Sequence, residues 1–316
     1  MEDVDAKDVR KVVVVGAGVM GHSIAQVFAH HGVEVNLVDL DEKILERAMR
    51  LMRSNLDTLA EFGRVSRDEI SAILDRVHPS TDLAAASRDV DFALEAVSEV
   101  EDVKRKVFSQ LDEACPEGTV LASNTSGLDI FSIAEVEKTE RLVITHWFNP
   151  PHIIPLVEVV PGPKTSQEVV SFAAELMERL GKRPVVLKEF VRAFIVNRIQ
   201  NSIGLAVLEI LEKGWATPED IDIAVKTSLG IRLPIVGVVQ TYDFTGLDVV
   251  RDVLKSYGIS HPLIEEKVRQ GHLGAKTSKG IYDYGGRSEE EILKKRDGLY
   301  LRMLDHLEKI GAFEPV

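Results

Sequence analysis

The stretch KVVVVGAGVMG, from Lys11 to Gly21, decides the fold of the chain. Its apolar run predicts a buried strand over Lys11–Val15, and the periodic segment Val19–His31 predicts a helix. Glycines at positions 16, 18 and 21 permit a tight turn, close approach of the backbone to a pyrophosphate, and close packing of helix on strand. The stretch therefore predicts the start of a dinucleotide-binding domain. The residues expected to contact the dinucleotide are Gly16, Gly18, Val19, Met20 and Gly21.

Apolar runs and helical patterns alternate through residues 1–188, which predicts an α/β domain with a mainly parallel sheet. Helical patterns at Asp41–Phe62 and Gln167–Leu180 lie between predicted strands. The further strands are predicted at Glu34–Asp39, Asp91–Val97, Thr119–Ser123, Arg141–Thr145, Ile154–Val160 and Arg183–Lys188.

Strand signals almost vanish after Lys188, so the sequence predicts an all-helical second domain over 189–316. Helices are expected at Ala193–Leu211, from Thr217 onward, and at Ser288–Ile310. Thr217 is followed by a proline and two acidic residues, the pattern of a helix N-terminus. Gly230 is expected to end that helix. Turns are expected at Gly246, Gly258 and Gly271.

Composition limits the classes of partner. The chain has 316 residues, 45% of them hydrophobic, and a formal net charge of −13, which disfavours nucleic acid and anionic lipid as partners. Cys115 is its one cysteine, so a disulfide framework and a thiolate-rich metal site are excluded. The N-terminus is polar and no run approaches the length of a membrane span. The sequence predicts a cytoplasmic protein.

Asp39, at the end of the second predicted strand, indicates which dinucleotide is bound. A carboxylate there accepts hydrogen bonds from the ribose hydroxyls and repels the additional phosphate of NADP, so NAD is favoured. The alternative is that Asp39 only caps the following helix.

His146 and Glu158 form the candidate catalytic pair. His146 directly follows the strand predicted at Arg141–Thr145 and begins a proline-rich loop. Ligands bind at such strand ends in open α/β sheets, although a single histidine there is often only packed. Glu158 alternates with apolar neighbours on one strand face, where a buried carboxylate requires a partner. A carboxylate orients an imidazole and stabilises its charged form after it takes a proton, so the pair indicates general-base chemistry without a metal.

Several ordered sequence motifs resemble those of the 3-hydroxyacyl-CoA dehydrogenase family over nearly the whole chain. Besides the glycine turn, they are EAVSE (95–99), SNTS (123–126), HWFNP (146–150), FIVNR (194–198) and KTSKG (276–280). The resemblance implies a Rossmann-like NAD-binding domain, a helical domain for substrate and dimerisation, and NAD-dependent oxidation of a secondary hydroxyl.

The resemblance also implies roles for individual residues. His146 is similar to the family's general base and Glu158 to its orienting carboxylate. Ser126 is similar to the hydroxyl that meets both substrate and cofactor, and Asn197 to the asparagine that hydrogen-bonds the substrate oxygen. Ser126 has a structural alternative, as a helix cap with an acid three residues on, and Asn197 has another, as a polar contact between helices. The positions matching those that line the nicotinamide half of the cofactor are Glu99, Lys104, Asn149 and Lys276.

The sequence departs from the family where members acting on CoA thioesters carry a serine and lysines. It presents Asp57, Glu61 and Phe62 there, with Arg53 and Arg64 as possible substitutes. A glycine usual before the FIVNR motif is Ala193, which is expected to shift the interdomain hinge slightly.

The sequence is therefore compatible with two classes of substrate. One is a 3-hydroxyacyl-CoA, and the other is a CoA-free hydroxy compound of the gulonate, carnitine or pyridine-carboxylate type. A lesser alternative is a crystallin-like protein that binds NAD without turnover. The resemblance implies a homodimer.

Overall fold

The computed structural model describes residues 5–314, in two compact units that divide between Ser202 and Ile203. The polar N-terminal segment considered in the sequence analysis lies partly outside the described residues. No helix among residues 5–314 is long and apolar enough to cross a membrane.

The first unit is built on an eight-stranded sheet of order β3-β2-β1-β4-β5-β6-β7-β8. All neighbouring strands are parallel except β6 and β7, which are antiparallel. The strands are β1 (Lys11–Val15), β2 (Glu34–Val38), β3 (Val77–Ser80), β4 (Phe92–Glu95), β5 (Val120–Ser123), β6 (Leu142–Trp147), β7 (Leu156–Pro161) and β8 (Arg183–Val186). The prediction of a Rossmann-like, mainly parallel sheet is confirmed.

Helices cover both faces of this sheet. Because side chains alternate along a strand, Val12 and Val14 of β1 join one apolar cluster with Phe28, while Val13 and Val15 join another with Phe108. The helices that begin in this unit are α1 (Gly21–His30), α2 (Glu42–Glu61), α3 (Ile70–Asp75), α4 (Leu83–Ala86), α5 (Glu101–Ala114), α6 (Ile130–Ile133), α7 (Gln167–Arg179) and α8 (Val196–Glu212).

The second unit contains the remainder of α8 and five further helices, which confirms the all-helical prediction. These are α9 (Pro218–Thr227), α10 (Leu229–Thr245), α11 (Leu247–Ser256), α12 (Pro262–Arg269) and α13 (Glu289–Lys309). The Thr217 hydroxyl caps α9 as expected, by accepting from the Asp220 backbone N–H. The expectation that Gly230 ends α9 is wrong, because that helix stops at Thr227 and Gly230 lies in the first turn of α10.

Asp243, near the end of α10, fixes the loop that follows α12. Its carboxylate is buried and accepts from the backbone N–H groups of Ile281 and Tyr282 at 2.8 and 2.9 Å. A Cβ on Gly274 would lie 2.1 Å from the Asp243 carbonyl oxygen, so this close approach requires glycine. The KTSKG segment is therefore held as a defined loop within the second unit.

Candidate active site

The glycine turn between β1 and α1 brings backbone segments too close for side chains. Gly16 has a φ of +101°, and a Cβ there would lie 2.5 Å from the Ala96 carbonyl oxygen. A Cβ on Gly21 would lie 1.6 Å from the Gly16 carbonyl oxygen. Gly18 and Val19 are exposed at the turn, and a Cβ on Gly18 would meet no atom within 4 Å. This open backbone next to the start of α1 fits a pyrophosphate.

Asp39 follows β2 and is oriented by the same turn. Its Oδ2 accepts from the Ala17 backbone N–H at 2.8 Å and its Oδ1 accepts from the Leu40 N–H at 2.8 Å. The alternative that Asp39 caps the next helix is wrong, because Asp41 caps α2 by accepting from the Lys43 N–H. The half-buried carboxylate lies where the ribose of a dinucleotide binds in folds of this kind.

His146 and Glu158 are brought together by strand register. They are opposed Cα partners in the antiparallel pair β6–β7, and His146 Nδ1 lies 2.8 Å from Glu158 Oε2. Both are buried, at 3% and 1% exposure. The carboxylate favours a proton on Nδ1, which leaves the Nε2 lone pair to accept a proton from another group.

The second oxygen of Glu158 lies at the start of α8. Glu158 Oε1 accepts from the backbone N–H groups of Ile195 and Val196, each at 3.0 Å. The charge is thus satisfied by three donors despite its burial. Sequence reasoning could not have found these contacts, since they join residues 37 and 38 positions apart through the tertiary fold.

Aromatic rings enclose the imidazole of His146. The ring centroid of Phe148 lies 4.5 Å from that of His146, and the centroid of Phe194 lies 5.1 Å away. Phe194 is buried and has a φ of +50°, and Ala193 before it has a φ of +66°. Two consecutive non-glycine residues in the left-handed region store backbone strain beside the candidate base.

Ser126 and Asn197 meet in this structure. Asn197 Nδ2 donates to the Ser126 carbonyl oxygen at 3.2 Å, so its contact is with a loop rather than with another helix. The alternative role of Ser126 as a helix cap is wrong, because α6 begins at Ile130 and its N-cap is Asp129. The Ser126 side chain is exposed in the loop after β5.

Lys104 is buried among carboxylates instead of being exposed. Its Nζ donates to Glu95 Oε1 at 2.7 Å and lies 3.1 Å from Glu99 Oε2. Glu95 also accepts from the Ser123 hydroxyl at 2.6 Å. Glu95 and Ser123 belong to the EAVSE and SNTS motifs, but the sequence assigned them no role of their own, although an acid and a hydroxyl at the ends of neighbouring buried strands gave a signal. Any effect of Lys104 on a ligand passes through Glu99.

Glu99 links this buried network to the Ser126 loop. Its Oε1 accepts from the Thr125 hydroxyl at 2.6 Å and from the Ser126 N–H at 2.8 Å. Burial acts to raise the pKa of the Glu99 carboxyl, but the donors Thr125, Lys104 and Ser126 together outweigh it, and the pKa is lowered. Glu99 therefore stays ionised and fixes the loop that carries Ser126.

The remaining candidates for cofactor contact are Asn149 in the first unit and Lys276 in the second unit. Asn149 is exposed in the turn after β6. Lys276 belongs to the second unit, where its ammonium pairs with Asp248 at 2.6 Å from Oδ2. Among residues 5–314, no group of three or more His, Cys, Asp and Glu side chains could hold a metal ion.

Two family models match consecutive parts of the chain. The model of the 3-hydroxyacyl-CoA dehydrogenase NAD binding domain matches residues 11–190, and that of the C-terminal domain matches residues 194–284. The chain belongs to the 3-hydroxyacyl-CoA dehydrogenase family. It is therefore an NAD-dependent dehydrogenase that acts on hydroxyl groups.

Relatives of this dehydrogenase bear names with different substrates. A 5-formyl-3-hydroxy-2-methylpyridine 4-carboxylate 5-dehydrogenase of Mesorhizobium japonicum is 31% identical over 296 residues, covering 91% of this chain and 95% of the relative. A probable 3-hydroxybutyryl-CoA dehydrogenase of Bacillus subtilis is 34% identical over 286 residues, covering 88% and 98%. The crystal structure of an Archaeoglobus fulgidus 3-hydroxyacyl-CoA dehydrogenase is 30% identical, with a TM-score of 0.77 and coverage of 96% and 99%.

Proposed function

We propose that this dehydrogenase oxidises the 3-hydroxyl of an acyl-CoA thioester to a ketone. The observation that carries the proposal is the buried His146–Glu158 pair, whose free Nε2 is available to take the hydroxyl proton. NAD, when bound, supplies the acceptor for the hydride released from the same carbon. Glu158 stabilises the imidazolium that forms, and the Ser126 hydroxyl and the Asn197 amide hold the substrate oxygen.

We further propose which residues hold the cofactor. Gly16, Gly18, Val19, Met20 and Gly21 would receive the pyrophosphate, and Asp39 the adenosine ribose. Glu99, Asn149, Lys276 and Ser126 would contact the nicotinamide half, with Lys104 acting by positioning Glu99. We assign residues 1–188 to cofactor binding and 189–316 to substrate binding and dimerisation, which the ranges matched by the two family models support.

The catalytic proposal is tested by comparing histidine variants of the whole chain. His146→Gln is expected to lower kcat by about 10²–10⁴-fold, the usual contribution of a positioned general base. His78→Gln is the matched control, because His78 is an exposed histidine of the same unit that pairs with Glu34. Unchanged turnover in the His146 variant, measured by NADH absorbance, would exclude the proposed base.

A CoA-free hydroxy compound is the second candidate substrate. It is favoured by the exposed Glu61 and Phe62 at the end of α2, where the sequence lacks the lysines expected for CoA, and by the pyridine-carboxylate relative. The rate of NAD reduction should be measured separately with four substrates, which are 3-hydroxybutyryl-CoA, 3-hydroxybutyrate, gulonate and carnitine. Turnover of the thioester alone would support acyl-CoA chemistry, and turnover of a free acid alone would replace it with the second candidate.

We also propose that the chain forms a homodimer, which the family resemblance supports, and that it is located in the cytoplasm, which its single cysteine supports. The second unit exposes large apolar side chains, including Leu205 and Leu208 of α8 at 70% and 63% and Trp215 at 67%. Leu205 and Leu208 are three residues apart and therefore share one face of α8, and an exposed apolar helix face supports self-association. Light scattering should give twice the chain mass, and a monomeric mass would contradict the proposal.

A further inference from the structure

The contacts around His146 form most of a closed circuit in the first unit. His146 Nδ1 lies 2.8 Å from Glu158 Oε2, and Glu158 Oε1 accepts from the backbone N–H of Val196 at 3.0 Å. The next residue, Asn197, donates to the Ser126 carbonyl oxygen at 3.2 Å. The four candidate catalytic residues therefore lie on one path of hydrogen bonds and chain neighbours.

Asn124 closes this path on its other side. It lies two residues before Ser126, and its Oδ1 accepts at 2.8 Å from the backbone N–H of Trp147, the residue after His146. Because a backbone N–H only donates, the amide oxygen of Asn124 must face it. We call the closed path the site circuit. It runs through the side chains of His146, Glu158, Asn197 and Asn124 and the carbonyl of Ser126.

Strand pairing does not replace the contact made by Asn124. The register of β5 with β6 ends at the pair Ser123–Ile144, whereas that of β6 with β7 continues as far as Trp147. His146 and Trp147 therefore have register partners in β7 but none in β5. On the β5 side, the Asn124 side chain supplies the carbonyl that a longer strand would have supplied.

Asn124 itself extends from a firmly held loop. Its backbone N–H donates to the Glu95 carbonyl oxygen at 2.8 Å. Before it, the Ser123 hydroxyl donates to the Glu95 carboxylate, and after it, the Thr125 hydroxyl donates to the Glu99 carboxylate, each at 2.6 Å. The loop is therefore a fixed support from which Asn124 can determine the position of the end of β6.

The end of β6 is also anchored in the apolar core. The Trp147 side chain is buried, and its ring centroid lies 6.2 Å from that of Phe28. Loss of the Asn124 contact should therefore shift the end of the strand without unfolding it.

We propose that Asn124 is a positioning residue for this reaction, which closes the site circuit and fixes His146 relative to Ser126. The inference rests on the proposed function, because it assumes that His146 takes the hydroxyl proton. His146 and Ser126 lie at the ends of the neighbouring strands β6 and β5, and in the proposed reaction both must reach one substrate oxygen. Their separation therefore controls whether the proton can be transferred, and Asn124 joins the two strand ends directly.

Two variants of the whole chain distinguish positioning from folding. Asn124→Leu is similar in volume but cannot accept a hydrogen bond, whereas Asn124→Asp keeps an acceptor for the Trp147 N–H. Asn124→Leu should lower kcat by about 10–100-fold, the cost of a misplacement of about 1 Å, and change the affinity for NAD by less than about twofold. Asn124→Asp should recover kcat to within about fivefold at about pH 9, where the added charge cannot keep His146 protonated.

Asn36→Leu is the matched control. Asn36 is a buried asparagine of β2 whose amide donates to the Ala86 carbonyl oxygen at 2.6 Å, outside the site circuit. This variant should lower the free energy of unfolding and leave kcat unchanged. Turnover is followed by NADH absorbance with the preferred substrate among the four compared for the proposed function.

The His146→Gln variant shows whether Asn124 acts through the base. Adding Asn124→Leu to His146→Gln should lower kcat by less than about a further twofold, because the group that Asn124 positions is already absent. A fully additive loss would overturn the inference, and so would a failure of Asn124→Asp to recover kcat or an equal loss in Asn36→Leu.

Failure of this inference can be told apart from failure of the proposed function. Full kcat in Asn124→Leu, in a chain that loses kcat on His146→Gln, would overturn the positioning role and leave the base in place. Full kcat in His146→Gln would refute the base, and the positioning role would fall with it.

Discussion

Replacing Glu158 by glutamine separates its effect on His146 from its effect on α8. The amide oxygen of the variant can still accept from the N–H groups of Ile195 and Val196, which now lie 3.0 Å from Glu158 Oε1. The amide nitrogen, however, would face His146 Nδ1, which now lies 2.8 Å from Oε2. Two donors cannot bond, so the ring must move its proton to Nε2.

The catalytic loss from this change should be large and the structural loss small. With the proton on Nε2, His146 cannot accept the hydroxyl proton, so kcat should fall by about 10²–10⁴-fold, equivalent to about 3–5 kcal/mol of activation free energy. The helix contacts change from charge-assisted to neutral hydrogen bonds, so the free energy of unfolding should fall by only about 1 kcal/mol. Glu158→Ala should cost about 3–5 kcal/mol, because it leaves buried donors unpaired.

Three measurements should be made on the unmodified chain, on Glu158→Gln and on Glu158→Ala. They are the steady-state rate of NADH formation, the affinity for NAD and the free energy of unfolding in urea. Glu189→Gln serves as the control, since Glu189 is a carboxylate outside the buried pair. The reasoning is refuted if Glu158→Gln keeps more than about a tenth of the unmodified kcat. It is also refuted if the kcat loss appears only together with a large loss of stability, since Glu158 would then act mainly through the fold.

Three further predictions follow from strain and burial. Ala193→Gly should raise the free energy of unfolding by about 0.5–1 kcal/mol. Alanine is strained at the left-handed φ of +66° found here, and removal of this strain stabilises the fold by more than the added unfolded-state entropy of glycine destabilises it. A lower free energy of unfolding in urea would contradict this. Burial raises the pKa of the Cys115 thiol to about 11, so a disulfide reagent at about pH 8 should react only after unfolding, and rapid modification of the native chain would show that the thiol is accessible. Burial lowers the pKa values of His22, His30 and His152, so these histidines take up protons at a higher pH in the unfolded chain than in the folded chain. The free energy of unfolding should therefore fall as the pH drops below about 6.5. A Tm that rises when the pH is lowered from about 7.5 to about 5.5 would contradict this.

Strands that are long, apolar and central could be predicted from the sequence. Lys11–Val15 is observed with the predicted bounds, because four consecutive valines have both faces buried in a parallel sheet. Val77–Ser80 was missed, since this strand at the sheet edge contains His78 and Pro79, and most of its residues are exposed or half-buried. Nothing in its local pattern distinguishes it from a loop.

The pairing of His146 with Glu158 was predictable in kind, because a buried carboxylate requires a donor. Its extension to the start of α8 was not, since backbone N–H groups carry no sequence signature. The same limit applies to Ser126. Its local sequence fits a helix cap, but α6 begins four residues later, at Ile130, with Asp129 as its N-cap. Contacts that depend on where two distant segments meet cannot be derived from spacing alone.

The opposition of His146 and Glu158 across β6 and β7 has an evolutionary consequence. Backbone register holds the two side chains, so a slip of one residue would place a valine opposite the histidine. Loops around the site can therefore change in length and chemistry without disturbing the proton-transfer pair. Changes in those loops can therefore alter which substrate is bound while the same proton-transfer pair is retained.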